Sequence, residues 1–356
     1  MDGPYFSRQI FPIVTPIDYQ KLLRMSRIKA VAMFSGGLDS ILAVKAILNQ
    51  DISVYGINFI TPFLSSSKQG RDLEARSISE KFHIPLRVKF LGNEYIEMVK
   101  HPRYGYGRNM NPCIDCRLSM LHKTIEYMKK IDAQFIITGE VLGERPMTQN
   151  RNSIKLIEKE SGLDSRILRP LSAKLFEPTI PEQRGWVNRD KLYAIEGRSR
   201  KPQIELAAEF GISDYPTPAG GCLLTDSNFA KRLKDAFEHK EDSLKEMLLL
   251  KLGRHFRLPG GAKVVVGREE KENKKILLLG KSDSIYMEAE GVPGPITLLL
   301  RMETKEDIEN TGSICLRYSD YQKEKGKVTY WKKSGAKTYI TVKKTGEETL
   351  NRFFVQ

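Results

Sequence analysis

Ser35-Gly36-Gly37-Leu38-Asp39-Ser40 follows the apolar run Ile28-Lys29-Ala30-Val31-Ala32-Met33-Phe34 and precedes Ile41-Leu42-Ala43-Val44-Lys45-Ala46-Ile47-Leu48. The order predicts a short strand, a tight glycine loop and a helix. Paired glycines let backbone N–H groups approach an anion with no Cβ in the way. The helix start adds unpartnered donors and the positive end of the macrodipole. Ser35 and Ser40 add hydroxyls, and Asp39 can hold a magnesium ion or cap the helix. Together they predict a phosphate cradle and a nucleotide such as ATP. The bland alternative is an ordinary strand–helix turn, which a six-residue pattern in the right context disfavours.

Outward from this loop the chain keeps alternating. Ile52–Phe59, Leu86–Phe90 and Ala133–Gly139 read as strands, and Arg71–Phe82 and Leu118–Lys130 as helices. Strands alternating with helices predict a parallel, doubly wound α/β sheet, with ligands at the carboxyl ends of its strands. Ser35–Ser40, Asn58–Pro62 and Gly139–Gln149 all fall at such ends. Residues 226–252 read as a charged helical connector. Beyond it Lys263–Gly267, Ile276–Gly280, Ile296–Leu300, Val328–Trp331 and Thr338–Val342 read as β-like runs of a smaller α+β domain. The expected organisation is an N-terminal extension (1–28), an α/β domain (29–225), the connector, and a C-terminal domain (253–356). Ser161-Gly162-Leu163-Asp164-Ser165 only echoes the first loop and reads as a turn.

With 356 residues and 40% hydrophobic content the chain can build more than one core. No apolar run approaches a membrane span and residues 1–27 lack a signal-peptide core, so no membrane and a cytoplasmic setting are expected. A net charge of +14 suits a polyanionic partner, though a solvated basic surface would look the same.

The four cysteines are too few for a disulfide framework. Cys113 and Cys116 lie in Asn111-Pro112-Cys113-Ile114-Asp115-Cys116-Arg117, at a helix start that favours thiolates. Cys222 follows a Gly220-Gly221 pair. Three thiolates could hold three irons of a four-iron cluster, or zinc, or act as a redox pair with a bystander. Cys315, within the strand-like run Ser313–Arg317, reads as a buried small hydrophobe.

The Ser35–Ser40 loop resembles the SGGxDS loop of the PP-loop ATP pyrophosphatases, and the Gly-Lys-Ser/Thr end of a Walker loop is absent. Combined with the cysteines, it resembles the tRNA thiouridine synthetases of that superfamily, in both 2-thiouridine and 4-thiouridine branches. Asn111-Pro112 and Cys116 match the 2-thiouridine pattern, whereas Cys113 and Arg117 depart from it. That departure favours the iron–sulfur-dependent members. Gly139-Glu140 with Gly143–Gln149 resembles the family's adenine-side loop, and Ile167–Leu171 resembles the strand-end segment that follows it. The resemblance implies ATP and Mg2+, with Ser35, Gly36, Gly37, Asp39, Ser40, Asn58, Gly139 and Glu140 around the nucleotide. It implies a catalytic role for Asp39, Cys113, Cys116 and Cys222, with the cysteines as ligands of a 4Fe–4S cluster. The implied reaction adenylates a uridine carbonyl, releases pyrophosphate and installs sulfur. The alternatives are a cluster-free persulfide route and a PP-loop ligase acting on a small molecule.

Gly197-Arg198-Ser199-Arg200-Lys201-Pro202 is a basic turn that, with Arg145 among other arginines, could line an RNA-facing rim. From Tyr318 to Lys344, lysines interleave with Tyr321, Tyr330, Trp331 and Tyr339. Basic residues track phosphates while aromatics stack bases, so Arg145, Arg198, Arg200, Lys201, Lys332 and Lys333 are candidates for RNA contact. Gly253–Leu258 with Val264–Arg268 and Asn273 resembles the NFACT-R type RNA-binding domain. The expected partners are tRNA and a sulfur donor, either sulfide or a desulfurase or sulfur carrier. A homodimer is left open.

Overall fold

The apolar run before the glycine loop forms strand β1 (Lys29–Met33), and the pattern after it forms helix α1 (Leu38–Leu48). In the computed structural model the described residues are 28–64, 71–215, 222–333 and 335–355. The expected N-terminal extension lies outside them, apart from Ile28, as do Gly220 and Gly221.

β2 (Ser53–Ile60), α2 (Arg71–Lys81), β3 (Leu86–Phe90), α3 (Asn93–Lys100), α4 (Cys113–Lys130), β4 (Phe135–Thr138), α5 (Arg151–Ser161) and β5 (Ile167–Leu168) follow. The five strands pair in parallel in the order β3-β2-β1-β4-β5. The order reverses at β1, so the crevice at the carboxyl ends of β1 and β4 is the topological switch point. The glycine loop and Gly139 both open onto it. β1 is buried because helices cover both faces: Ala30, Ala32, Ile41, Leu42 and Val44 share one core cluster, while Val31, Met33, Leu118, Leu121 and Ile136 share another. This is the doubly wound α/β sheet expected from the alternation. Short helices α6 (Ile180–Gln183) and α7 (Lys201–Glu209) complete this part.

The connector is two capped helices, α8 (Ser227–Glu238) and α9 (Leu244–Leu249). It is packed, not free. Phe229, Leu233, Ala236, Met247 and Leu250 join Phe63, Leu91, Tyr95, Ile96 and Val99 in one buried cluster. Each fully buried side chain of this size contributes about 2 kcal/mol, so the connector is held firmly to the first sheet's layer.

The second sheet is antiparallel, ordered β11-β10-β8-β9-β7-β6, from β6 (Arg254–Arg257), β7 (Lys263–Val266), β8 (Ile285–Ala289), β9 (Thr297–Leu299), β10 (Lys325–Trp331) and β11 (Thr338–Lys343). Helices α10 (Glu270–Leu279), α11 (Lys305–Arg317) and α12 (Glu347–Phe353) accompany it. Two expectations are corrected. Ile276–Gly280 is not a strand but the end of α10 and its cap, because a run of four aliphatic residues continues a helix begun by Glu270–Lys275. Cys315 lies in α11, not a strand, although it is fully buried as expected. Ser161–Ser165 is a turn: Gly162 caps α5 at φ 65°. Among the described residues no helix is long and apolar enough to cross a membrane.

Candidate functional site

The glycine loop leaves its helix end open. Gly37 is the N-cap of α1 and makes no side-chain cap, so the first N–H groups of an eleven-residue helix face the crevice. Gly36 sits at φ 75°, where a Cβ would also press the Ala75 backbone at 3.0 Å. Ser40 Oγ donates to the Gly37 carbonyl (2.8 Å), and Ser35 Oγ donates to Ser40 Oγ (3.2 Å), which fixes the loop's shape. Gly139, at the end of β4, lies against this turn; a Cβ there would come within 2.5 Å of the Ser40 nitrogen. Asn58 braces the loop from below, its Nδ2 donating to the Phe34 carbonyl at 2.8 Å.

Two arginines expected at an RNA rim lie near the glycine loop. The Leu142 carbonyl accepts from the Gly197 nitrogen at 2.7 Å, tying residues 139–149 to the basic turn that leads into α7. Arg145 and Arg200 thereby face Asp39. Burial raises the Asp39 pKa above its ordinary value, and Arg200 and Arg145 oppose that. Glu144 is raised too, by burial and by the Asp39 charge. Asp39 Oδ1, Arg200 Nε and both polar atoms of Gln203 are buried with no hydrogen-bond partner among the described residues. Gln203 lies close enough to favour the charged form of Asp39, but not in hydrogen-bond geometry. Unsatisfied polar groups are rare in native interiors, and several converging at one phosphate-cradle loop mark a ligand position. Arg198 and Lys201 remain exposed nearby.

Glu140 has a different setting from the one expected beside the nucleotide. Its carboxylate is buried and accepts from Arg169 Nε (3.0 Å) and Thr138 Oγ1 (3.1 Å) and pairs with Arg117 Nη2 (2.8 Å). Burial pushes its pKa up, but Arg117 and Arg169 outweigh that and hold it below the usual range. Arg169 also pairs with Glu158. Since Arg117 follows Cys116, this buried pair ties the cysteine helix to the strand end beside Asp39.

The cysteines converge although 106 positions separate Cys116 from Cys222 (222 − 116). Met110 N donates to the Leu224 carbonyl (3.1 Å) and Asn109 Nδ2 to the Thr225 carbonyl (2.8 Å), lacing the two segments together. Cys113 and Cys116 begin α4. Cys116 and Cys222 both pack on the cluster around Phe63 and Tyr95. Tyr95 is 2% exposed, and its hydroxyl donates to Cys116 Sγ at 2.9 Å. Its own pKa is pushed well up by burial and by the sulfurs of Cys116, Cys222 and Cys113. Burial pushes the Cys116 thiol up to about 12, and Cys222 and Cys113 add to the rise. Burial raises Cys113 as well, against the pull of Arg145. The helix start therefore does not yield ready thiolates in the unligated protein: desolvation outweighs it. Among the described residues no three His, Cys, Asp or Glu side chains are arranged around a single metal ion.

Two site residues escaped the sequence reading. Tyr95 sits in α3 among apolar residues and looks like core until its hydroxyl is seen on a sulfur. Lys251 ends the connector, and its Nζ donates to the Leu64 carbonyl at 2.8 Å. Burial pushes its pKa down to about 8, against the influence of Cys222.

On the second sheet, Lys325, Lys327 and Tyr339 alternate with buried Gly326, Val328 and Val342, and Lys343 pairs across from Lys325. One face of β10 and β11 is therefore basic, with Lys327 Nζ lying 4.7 Å from the Tyr339 ring centroid. Lys332 and Lys333 follow β10 at the surface, where Lys333 donates to the Leu278 carbonyl.

Two family models match separate stretches of the chain. Residues 25–174 match the family model of the thiamine biosynthesis protein ThiI, and residues 253–354 match that of the NFACT protein RNA binding domain. An uncharacterized protein of Methanocaldococcus jannaschii is 29% identical over 126 residues, which is 35% of this chain and 45% of that protein, so the match spans less than half of the relative. A 4-thiouridine synthetase solved with RNA and ATP is 20% identical, with a TM-score of 0.35, covering 62% of this chain and 53% of that one. The U34-tRNA thiolase NcsA of Methanococcus maripaludis, solved with its 4Fe–4S cluster, is 14% identical, with a TM-score of 0.31, covering 63% and 70%. The chain thus joins a domain of the ThiI type to an RNA-binding domain of the NFACT type.

Proposed function

We propose that the protein is an ATP-dependent tRNA thiolase. The observation that carries this reading is the position of Arg145, whose guanidinium favours the charged forms of both Asp39 and Cys113. A single residue near both groups supports a reading in which phosphate loop and thiols open onto one crevice. An activating half and a sulfur half in one crevice, followed by an RNA-binding domain, suit a reaction in which a nucleobase is first adenylated and then attacked by sulfur.

The uracil carbonyl oxygen bonds to the α-phosphorus of ATP while the bond to pyrophosphate breaks. The open N–H groups of α1, with Arg145 and Arg200, meet the charge that grows on the departing phosphates. Asp39 is the residue to hold Mg2+, which shields the same charge. Sulfur then bonds to the activated ring carbon, and the carbon–oxygen bond breaks to release AMP bearing the uracil oxygen. Cys113, Cys116 and Cys222 are the residues to hold an iron–sulfur cluster. The fit rests on three convergent sulfurs in an apolar setting, with a buried phenol donating to one of them. When bound, a cluster with one iron free of protein ligands supplies a position for a sulfur anion. A persulfide route would use Cys113 or Cys116 as the resolving thiol, and burial raises the pKa of both.

The test is pyrophosphate release with and without tRNA, followed by mass spectrometry of the tRNA nucleosides. Release dependent on tRNA with a new thiouridine is expected, and R145A should lose both. Release driven by a small acid or amine, with no thiolated nucleoside, would defeat the proposal.

A further inference from the structure

Gln203 is a buried amide that the fold alone does not account for. It is 0% exposed, and among the described residues neither its oxygen nor its nitrogen has a hydrogen-bond partner. An amide kept in the interior without partners is costly and calls for a reason. Its place on α7 supplies one. Gln203, Leu206 and Ala207 form the buried face of that helix, at the i, i+3, i+4 spacing of a single side. Leu206 and Ala207 share a core cluster with Leu38, Ile41 and Leu42, so this face lies on α1. Gln203 stands in the first turn of α7 and Asp39 in the first turn of α1. The two helix starts meet there, where Gln203 lies close to the Asp39 carboxylate and Arg200, the N-cap of α7, faces it. Two acceptors, Asp39 Oδ1 and Gln203 Oε1, and two donors, Gln203 Nε2 and Arg200 Nε, are left over at this junction. They are neighbours that the unliganded fold does not join. Because Gln203 is closed off from the crevice, it acts on a ligand only through Asp39. Hydrogen bonds of working sites are often misaligned until the ligand is bound.

We infer that Gln203 is a positioning residue for Asp39, its Nε2 donating to the Asp39 carboxylate once phosphates and their cation occupy the glycine loop. The inference rests on the reading that this loop takes the phosphates of a nucleotide. The start of α7 is then a second arm of the phosphate site. It holds the carboxylate of α1 in place from behind, on the side away from the ligand.

Q203M tests this, because methionine keeps the length of the side chain and removes both polar atoms. In scanning calorimetry of the full chain without ligand, Q203M is expected to melt no lower than the parent, since an unpartnered amide gives way to an apolar group. Titration calorimetry then uses Mg2+ with the α,β-methylene analogue of ATP, which lacks the cleavable bond. Q203M is expected to bind it about tenfold more weakly, the size of one hydrogen bond to a charged group. A residue that merely supported the fold would lower melting temperature and affinity together. A Q203M protein that melts below the parent would overturn the inference, because the amide would then be serving the free fold. Binding as tight as the parent's would overturn it too. Absence of binding in the parent would be the failure of the nucleotide reading and would take the inference with it. Binding in the parent that Q203M leaves untouched would be the failure of the inference alone.

Discussion

Asp39 is a carboxylate kept where it is uncomfortable. Its pKa is raised because burial outweighs Arg200 and Arg145, so the folded protein binds a proton there more tightly than the unfolded chain does. The ionised form therefore costs stability as pH rises above the ordinary carboxylate value, and neutral pH bears the full cost. D39N is expected to raise the melting temperature while abolishing pyrophosphate release. In the parent protein, the proposed activity should fall on acidification at a higher pH than an ordinary carboxylate would give, as read from kcat/KM against pH. A D39N protein that melts lower than the parent would contradict this balance. At this scale the motif made Asp39 legible, because six consecutive residues carry it. Arg145 and Arg200 were legible as basic but not as neighbours of Asp39, since a hydrogen bond between Leu142 and Gly197 sets that meeting. Nothing in the apolar pattern of α3 separates Tyr95 from a core phenylalanine.

Helix α8 shows how one element serves two cores. Its apolar face lies on the cluster around Phe63, while its Asp235 meets Arg257 Nη2 (2.6 Å) and Lys263 Nζ (2.9 Å) from β6 and β7. Glu241 joins the same group, bonded to Arg257 at 2.6 Å. Burial raises the Asp235 pKa, but hydrogen bonds from Arg257 and the Lys263 charge bring it down to about 2. His255 beside them is fully buried and held well below its ordinary value, by burial first and by Lys263 and Arg232 next. Both shifts make the fold lose stability as pH falls. For His255 the loss begins below about 6.5, where only the unfolded chain takes up the proton. For Asp235 it follows between about 4 and 2. D235N leaves Lys263, 2% exposed, and Arg257 short of charge, and should cost about 3–5 kcal/mol in urea unfolding. A loss under 1 kcal/mol would show that the group is not a structural joint. The helical character of this connector was legible from its periodicity, but its partners were not. The strand expected at Ile276–Gly280 failed for a related reason. A short aliphatic run does not state its own period, and the charged turn before it decided for helix.

Across the molecule, the doubly wound sheet was legible because its alternation repeats along the chain, whereas the second sheet was readable only as β-like runs of unknown order. Its basic face on β10 and β11 is the expected RNA contact of the proposed thiolase. Replacing Lys325, Lys327 and Lys343 together by glutamine should weaken tRNA binding and lower the slope of log affinity against log salt by about 2–3, as three phosphate contacts would. An unchanged slope would place the RNA elsewhere. The joint at Asp235 has one more consequence. A helix whose apolar side belongs to one core and whose acid belongs to another cannot leave either without disturbing both. Scanning calorimetry should therefore record one endotherm whose van't Hoff and calorimetric enthalpies agree, not two separated peaks. In D235N the peak should split or broaden. The two sheets, though built on unrelated strand patterns, would then melt as a single cooperative unit.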